Sequence, residues 1–120
     1  MDGVKTFDFY VLLSPEETAE KLKEGLNGRI VKAEVLDEYQ RKLPDGKEMR
    51  LLVFQKYSFL ANDRPILTVL LDELEGKTKV HLCGASGIGG ALAVDMVEAG
   101  VSFAQKAREV LKEYRLEESL

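Results

Sequence analysis

The sequence predicts an α+β fold, a two-layer sandwich in which helices cover one face of an antiparallel sheet and the elements run β-α-β-β-β-β-α. Three observations carry that reading. An aromatic and β-branched run is followed at once by a helix-start signal. A long middle region alternates apolar and polar residues between short turns. The C-terminal region then changes to helical periodicity.

Residues 6–13 (TFDFYVLL) have strand composition. Ser14-Pro15-Glu16-Glu17 stops the strand and opens a helix. Ser14 caps the free N–H groups, Pro15 occupies the first helical position without losing a needed donor, and Glu17 completes a capping box. The helix buries Ala19, Leu22 and Leu26, and Gly25, Asn27 and Gly28 offer left-handed positions to end it.

Residues 29–43 form a long strand in which Val31, Ala33, Val35 and Tyr39 share one face, against Lys32, Glu34, Glu38 and Gln40. Pro44-Asp45-Gly46 turns the chain, and residues 49–60 return. Asn62-Asp63-Arg64-Pro65 precedes a strand at 66–71. Glu75-Gly76-Lys77 precedes a strand at 78–83. Such short turns pair neighbouring strands antiparallel. After the glycine-rich stretch 84–90 (GASGIGG), Phe103, Ala107, Val110, Leu111 and Tyr114 recur at helical spacing. Residues 91–99 fit either an early helical turn or a short extended piece, with Gly100 at the join. The tail, 117–120, is expected to fray. The order of elements resembles the repeat of the TATA-box-binding protein and, more loosely, the helix-grip ligand-binding proteins, a likeness of fold that carries no function.

A chain of 120 residues makes one domain, 1–120. A content of 45% hydrophobic and 32% charged residues supports a globular core rather than disorder. The net charge of −4 gives no general attraction to nucleic acid or anionic lipid. Lys47, Arg50 and Lys56 are scattered along one hairpin and read as solvated charge. The single cysteine, Cys83, excludes an internal disulfide, and residues 1–6 lack the pattern of a signal peptide. No apolar run approaches the roughly 18 residues of a membrane span. The expected location is cytoplasmic, with neither nucleic acid nor membrane as partner.

The middle strands are apolar on both faces. Met49, Leu51 and Val53 alternate with Leu52 and Phe54, and Ile66 and Leu70 alternate with Leu67, Val69 and Leu71. Helices cover only one of these faces. The other must meet a second copy, a small apolar ligand or the 91–100 segment, and a homodimer is the first expectation.

The candidate chemistry is thin. Gly84, Ser86, Gly87, Gly89 and Gly90 form the candidate ligand region, because glycines between a strand and a helix can present N–H groups to phosphate. The spacing fails the known templates: Gly90 and Ala91 stand where a Walker loop needs Lys and Ser/Thr, and Leu92 stands where GxGxxG needs glycine. His81 and Cys83 share a strand face, yet the chain has no other His or Cys to complete a zinc site. A Cys83–His81 nucleophile pair or a Ser86 nucleophile would need an oxyanion hole, and Ile88 breaks the GxSxG elbow. Cys83 reads better as a small buried hydrophobe. The acidic pairs Asp37, Glu38 and Asp72, Glu73 read as solvated charge. Tyr39, Tyr57 and Phe59 could form an aromatic platform, but the acidic balance argues against bases as its ligand. No cofactor is implied.

The runs Asp37-Glu38-Tyr39-Gln40-Arg41, Val53-Phe54-Gln55-Lys56-Tyr57, Leu67-Thr68-Val69 and 84–90 together resemble a family of small uncharacterised bacterial proteins, mostly from Firmicutes, that share a domain of unknown function. The shared features are an E-Y-x-R strand, an F-x-K-Y strand, an L-T-V strand and a glycine cluster. Glu98-Ala99-Gly100 departs from the Gly-Ala-Glu helix start of that group. The resemblance implies a bacterial cytoplasmic protein of this size and brings no activity or site residues. The function expected is a non-enzymatic binding or assembly module acting as a homodimer. The alternative is a small enzyme or small-ligand binder using residues 83–90.

Overall fold

The computed structural model describes residues 3–28, 31–58, 64–86 and 97–117. Its elements are β1 (Val4–Val11), α1 (Pro15–Gly25), β2 (Val31–Lys42), β3 (Glu48–Ser58), β4 (Ile66–Asp72), β5 (Thr78–Ala85) and α2 (Val97–Val110), then a 3₁₀ turn at Lys112–Tyr114. The five strands form one sheet in the order β1-β5-β4-β3-β2, every neighbour antiparallel. The expectations for residues 29–30, 59–63, 87–96 and 118–120 lie outside the described residues.

The capping box forms as the spacing requires. Ser14 Oγ accepts from the Glu17 N–H at 3.1 Å, and the Glu17 carboxylate accepts from the Ser14 N–H at 2.9 Å. The Ser14 N–H holds the Glu17 carboxyl below its ordinary value. The other end of α1 differs from expectation. It does not use a left-handed glycine: Leu26 closes it in right-handed helical conformation, its N–H donating to Leu22 O at 3.0 Å. Asn27 finishes the end with its side chain. Its Nδ2 donates to Lys23 O at 3.0 Å, and its Oδ1 accepts from the Ala33 N–H at 3.1 Å, tying helix to strand. Gly25 is a packing residue instead. A Cβ there would lie 2.6 Å from Val110 Cγ1, so glycine lets α1 and α2 touch.

β2 also departs from strict alternation. Its register against β3 shifts between Val35, opposite Phe54, and Asp37, opposite Val53. Leu36 is the extra residue of this β-bulge and is 49% exposed. Before the bulge, Ala33 and Val35 join the core. After it, Tyr39 stands opposite Leu51 on the far face, while Glu38 turns to the helix side opposite Leu52. The sequence alternation puts Tyr39 on the face of Ala33 and Val35, and the bulge reverses it. The two turns hold. Gly46 (φ 88°) and Gly76 (φ 85°) adopt the positive φ that glycine tolerates, each N–H donating to a carbonyl three residues back at 2.9 Å.

One cluster makes the core. Leu52, Phe54, Leu67, Val69, Leu71, Val80 and Leu82 line the helix face of the sheet, and Ala19, Leu22, Phe103, Ala104, Ala107 and Leu111 cover them from α1 and from α2 with the turn that follows it. Gly100 lies inside α2 rather than at a join, and there helix backbone rests on strand backbone. A Cβ on Gly100 would fall 2.4 Å from Ala85 C and 2.6 Å from Gly3 O, and a Cβ on Gly84 would fall 2.2 Å from Gly100 O. Replacing Gly100 by Ala should gain about 1 kcal/mol of helix propensity. It should lose more, because the clash is with backbone that has no flexible end to move; overpacking of this kind costs about 1–3 kcal/mol. The expected result for Gly100→Ala is a lower urea midpoint with an unchanged slope, and a raised midpoint would refute the close contact.

Candidate functional site

The helix face closes with an ionic clamp that the sequence did not disclose. Arg50 is buried, not solvated. Its Nη2 lies 2.6 Å from Glu48 Oε1, its Nε donates to the same oxygen at 2.7 Å, and its Nη1 lies 2.9 Å from Glu38 Oε2. Lys23 on α1 completes the chain, with Nζ 2.7 Å from Glu38 Oε1. Glu38, too, is tied down rather than solvated. The Lys23 ammonium, with Arg50 beside it, holds the Glu38 carboxyl below its ordinary range, and Glu38 raises Lys23 in return. Burial works to lower Arg50, but bonds to Glu48 and Glu38 outweigh it and keep the guanidinium charged. Every member has a partner, which suits a structural clamp between α1, β2 and β3 better than a reactive centre.

The pair His81 and Cys83 share the opposite face of β5, as their spacing requires. Asp8 stands opposite His81 on β1, with Oδ1 2.7 Å from His81 Nδ1. Cys83 is half-buried on this outer face rather than buried as a core hydrophobe. No hydrogen bond among the described residues joins it to His81, whose partner is Asp8. Among the described residues no group of three His, Cys, Asp or Glu is placed to hold a metal ion. Of the candidate ligand region, Gly84 belongs to β5, where its missing side chain admits α2, and the Ser86 N–H donates to Gly3 O at 3.1 Å, extending the β1–β5 ladder. Gly87, Gly89 and Gly90 lie outside the described residues, as does Phe59 of the aromatic platform.

The outer face of the sheet is a further feature that the core does not consume. Register places Met49, Leu51 and Val53 of β3 beside Ile66, Thr68 and Leu70 of β4, with Cys83 and Ala85 of β5 and Tyr39 of β2 alongside. All but Tyr39 are half-buried, and Tyr39 is 54% exposed. Polar groups surround this centre: Asp8, Lys79 and Asp72 toward one side, Asp37, Arg41 and Gln55 toward the other. Tyr39, Arg41, Leu43, Met49, Leu51 and Leu70 line a depression of 370 Å³.

Residues 5–115 match the family of unknown function DUF6054. The chain belongs to this family. No curated protein matches it. Among solved structures, this DUF6054 chain is similar to protein CV1439 from Chromobacterium violaceum, determined by X-ray crystallography, at a TM-score of 0.49 and 11% identity over 92% of this chain and 96% of that one. Among the described residues, no helix is long and apolar enough to cross a membrane.

The clamp has a pH signature. In the folded chain the Glu38 carboxyl titrates below its ordinary value of 4.5. Its contribution to stability is therefore complete above that value and vanishes as the pH falls through the lowered one. Urea unfolding followed from about pH 6 to about pH 3 should show the wild type losing more stability than Glu38→Gln. Equal losses would show that Glu38 is not held in its charged form.

Proposed function

We propose that this DUF6054 chain is a non-enzymatic binding and assembly module, and that two copies associate through the outer face of the sheet. The observation that carries the reading is the apolar centre built by Leu51, Val53, Ile66 and Leu70, which the helices do not cover. Its layout supports the reading: an apolar middle inside a polar rim is the usual anatomy of a protein interface. The size supports it as well. Five strands at about 4.8 Å spacing and seven residues at about 3.3 Å give a footprint of about 550 Å². Side chains roughen that surface toward the ~800 Å² per partner of a stable complex. The rim carries both signs (Asp72 with Lys79, Asp37 with Arg41), so a second copy need not meet a single repelling charge.

Solution mass by size exclusion with light scattering at micromolar concentration decides the matter. The expected mass is twice the 13.4 kDa of one chain. Leu51→Lys together with Leu70→Asp should return the single-chain mass while leaving the far-ultraviolet circular dichroism unchanged, since both side chains lie outside the core. A wild type that stays at one chain would overturn the assembly reading.

A further inference from the structure

We infer that the outer edge of β1, with the basic groove beside it, receives an extended acidic peptide of a partner protein as an added strand. This surface is separate from the outer sheet face, and the inference does not depend on the assembly reading. Two independent observations meet there.

The first is charge. A groove of 440 Å³ lies along the exposed face of α2 and the segment after it, lined by Gln105, Arg108, Glu109, Lys112 and Arg115. The Arg108 guanidinium lies 4.7 Å over the Phe7 ring, Arg115 lies 5.3 Å over Phe9, and Lys5 Nζ lies 5.2 Å over Phe7. Among the described residues, Lys5, Arg108, Lys112 and Arg115 have no ion pair to a carboxylate. Four cations thus gather on a chain whose net charge is −4. Stacking on aromatic rings fixes the guanidinium planes in advance, so little freedom is lost when they bind carboxylates.

The second is the ladder. The chain itself already adds a short strand to this edge: Leu12 N–H donates to Tyr114 O at 2.9 Å, Leu116 N–H donates to Tyr10 O at 2.9 Å, and Val11 bridges Arg115. The outward main-chain groups of β1 are therefore those of Tyr10 and Leu12. Strand alternation places those of Thr6 and Asp8 outward too, and no hydrogen bond among the described residues uses them. A peptide continuing along this edge would pair with Thr6 and Asp8 and point every second side chain toward Lys5, Phe7 and the groove. Acidic residues at those positions fit. A second copy of β1 does not, because it would bring a second basic groove against the first.

The test uses a fluorescein-labelled peptide of alternating Thr and Glu, about ten residues long, read by fluorescence anisotropy against the full chain. A second peptide carries Pro in place of Thr, keeping the charge and removing the ladder donors. The expected result is saturable binding of the first peptide, weakened about tenfold or more in Arg108→Gln/Lys112→Gln and in Thr6→Pro. The first variant changes only exposed groove residues. The second removes one outward N–H and leaves the β1–β5 ladder, and circular dichroism verifies both folds. Equal binding of the Pro peptide, full displacement by inorganic phosphate at matched ionic strength, or no binding of the Thr-Glu peptide would each overturn strand addition. The second of these would point to a small-anion site instead.

Discussion

The position of everything on the helix side depends on two glycines. At Gly84 and Gly100 the backbones of β5 and α2 come closer than any side chain permits. That contact sets the depth of the helix. With its N-terminal half pressed on β5, α2 drops Phe103, Ala104 and Ala107 into the sheet, with Leu111 just beyond its end. Gly25 repeats the device one layer out, where it lets α1 meet Val110. Close packing in a small core leaves no slack to absorb a displaced helix. The same placement carries the chain after α2 to the β1 edge, where Arg115 bridges Val11. Helix depth, core and basic groove are thus consequences of one contact.

The helices do not reach the far end of the helix face. Beside Leu71 and beyond Leu52 the sheet carries Arg50 and Glu48 instead of aliphatic residues, and Glu38 and the long side chain of Lys23 on α1 close over them. Removing Arg50 would leave Glu48 buried without its cation, which costs more than the pair contributes. The clamp also depends on the bulge. Without the extra Leu36, Glu38 would face outward and Tyr39 inward, and Arg50 would lose one of its two carboxylates. A one-residue irregularity therefore joins the polar end of the core to the aromatic side of the outer face.

How legible this was follows from how far each signal travels along the chain. The Ser14 box, the turns at Gly46 and Gly76 and the two-faced strands are written in adjacent residues, and they were readable as such. Helix spacing likewise picked out Phe103, Ala107 and Leu111. The bulge has no local mark, since Leu36 continues an ordinary strand composition. Gly25, Gly84 and Gly100 look like breaks in one dimension and are contacts in three. Arg50 looks like one cation among several until register sets it between Glu48 and Glu38. The groove was invisible for the same reason: Lys5 and Arg108 lie far apart in the chain and share only the Phe7 ring.

The two edges of the sheet are treated differently, and the difference bears on function. An exposed edge invites unwanted pairing, so proteins bend, charge or cover it. β2 is guarded in that way. It carries a bulge at Leu36 and mixed charges from Lys32, Glu34, Asp37 and Arg41. β1 keeps regular register with β5 from Val4 to Val11 and has neither bulge nor proline. Among the described residues its guard is the chain segment 114–116, which pairs at Tyr10 and Leu12. Along the rest, on the helix side, Lys5 and Arg108 stand beside ladder groups that no other described residue uses. Like charges on both copies deter self-pairing, yet they attract a strand of opposite charge. A uniform need to silence edges would have produced two similar edges. One blocked edge and one edge selective by charge is the arrangement expected where strand addition is restricted to a particular class of partner.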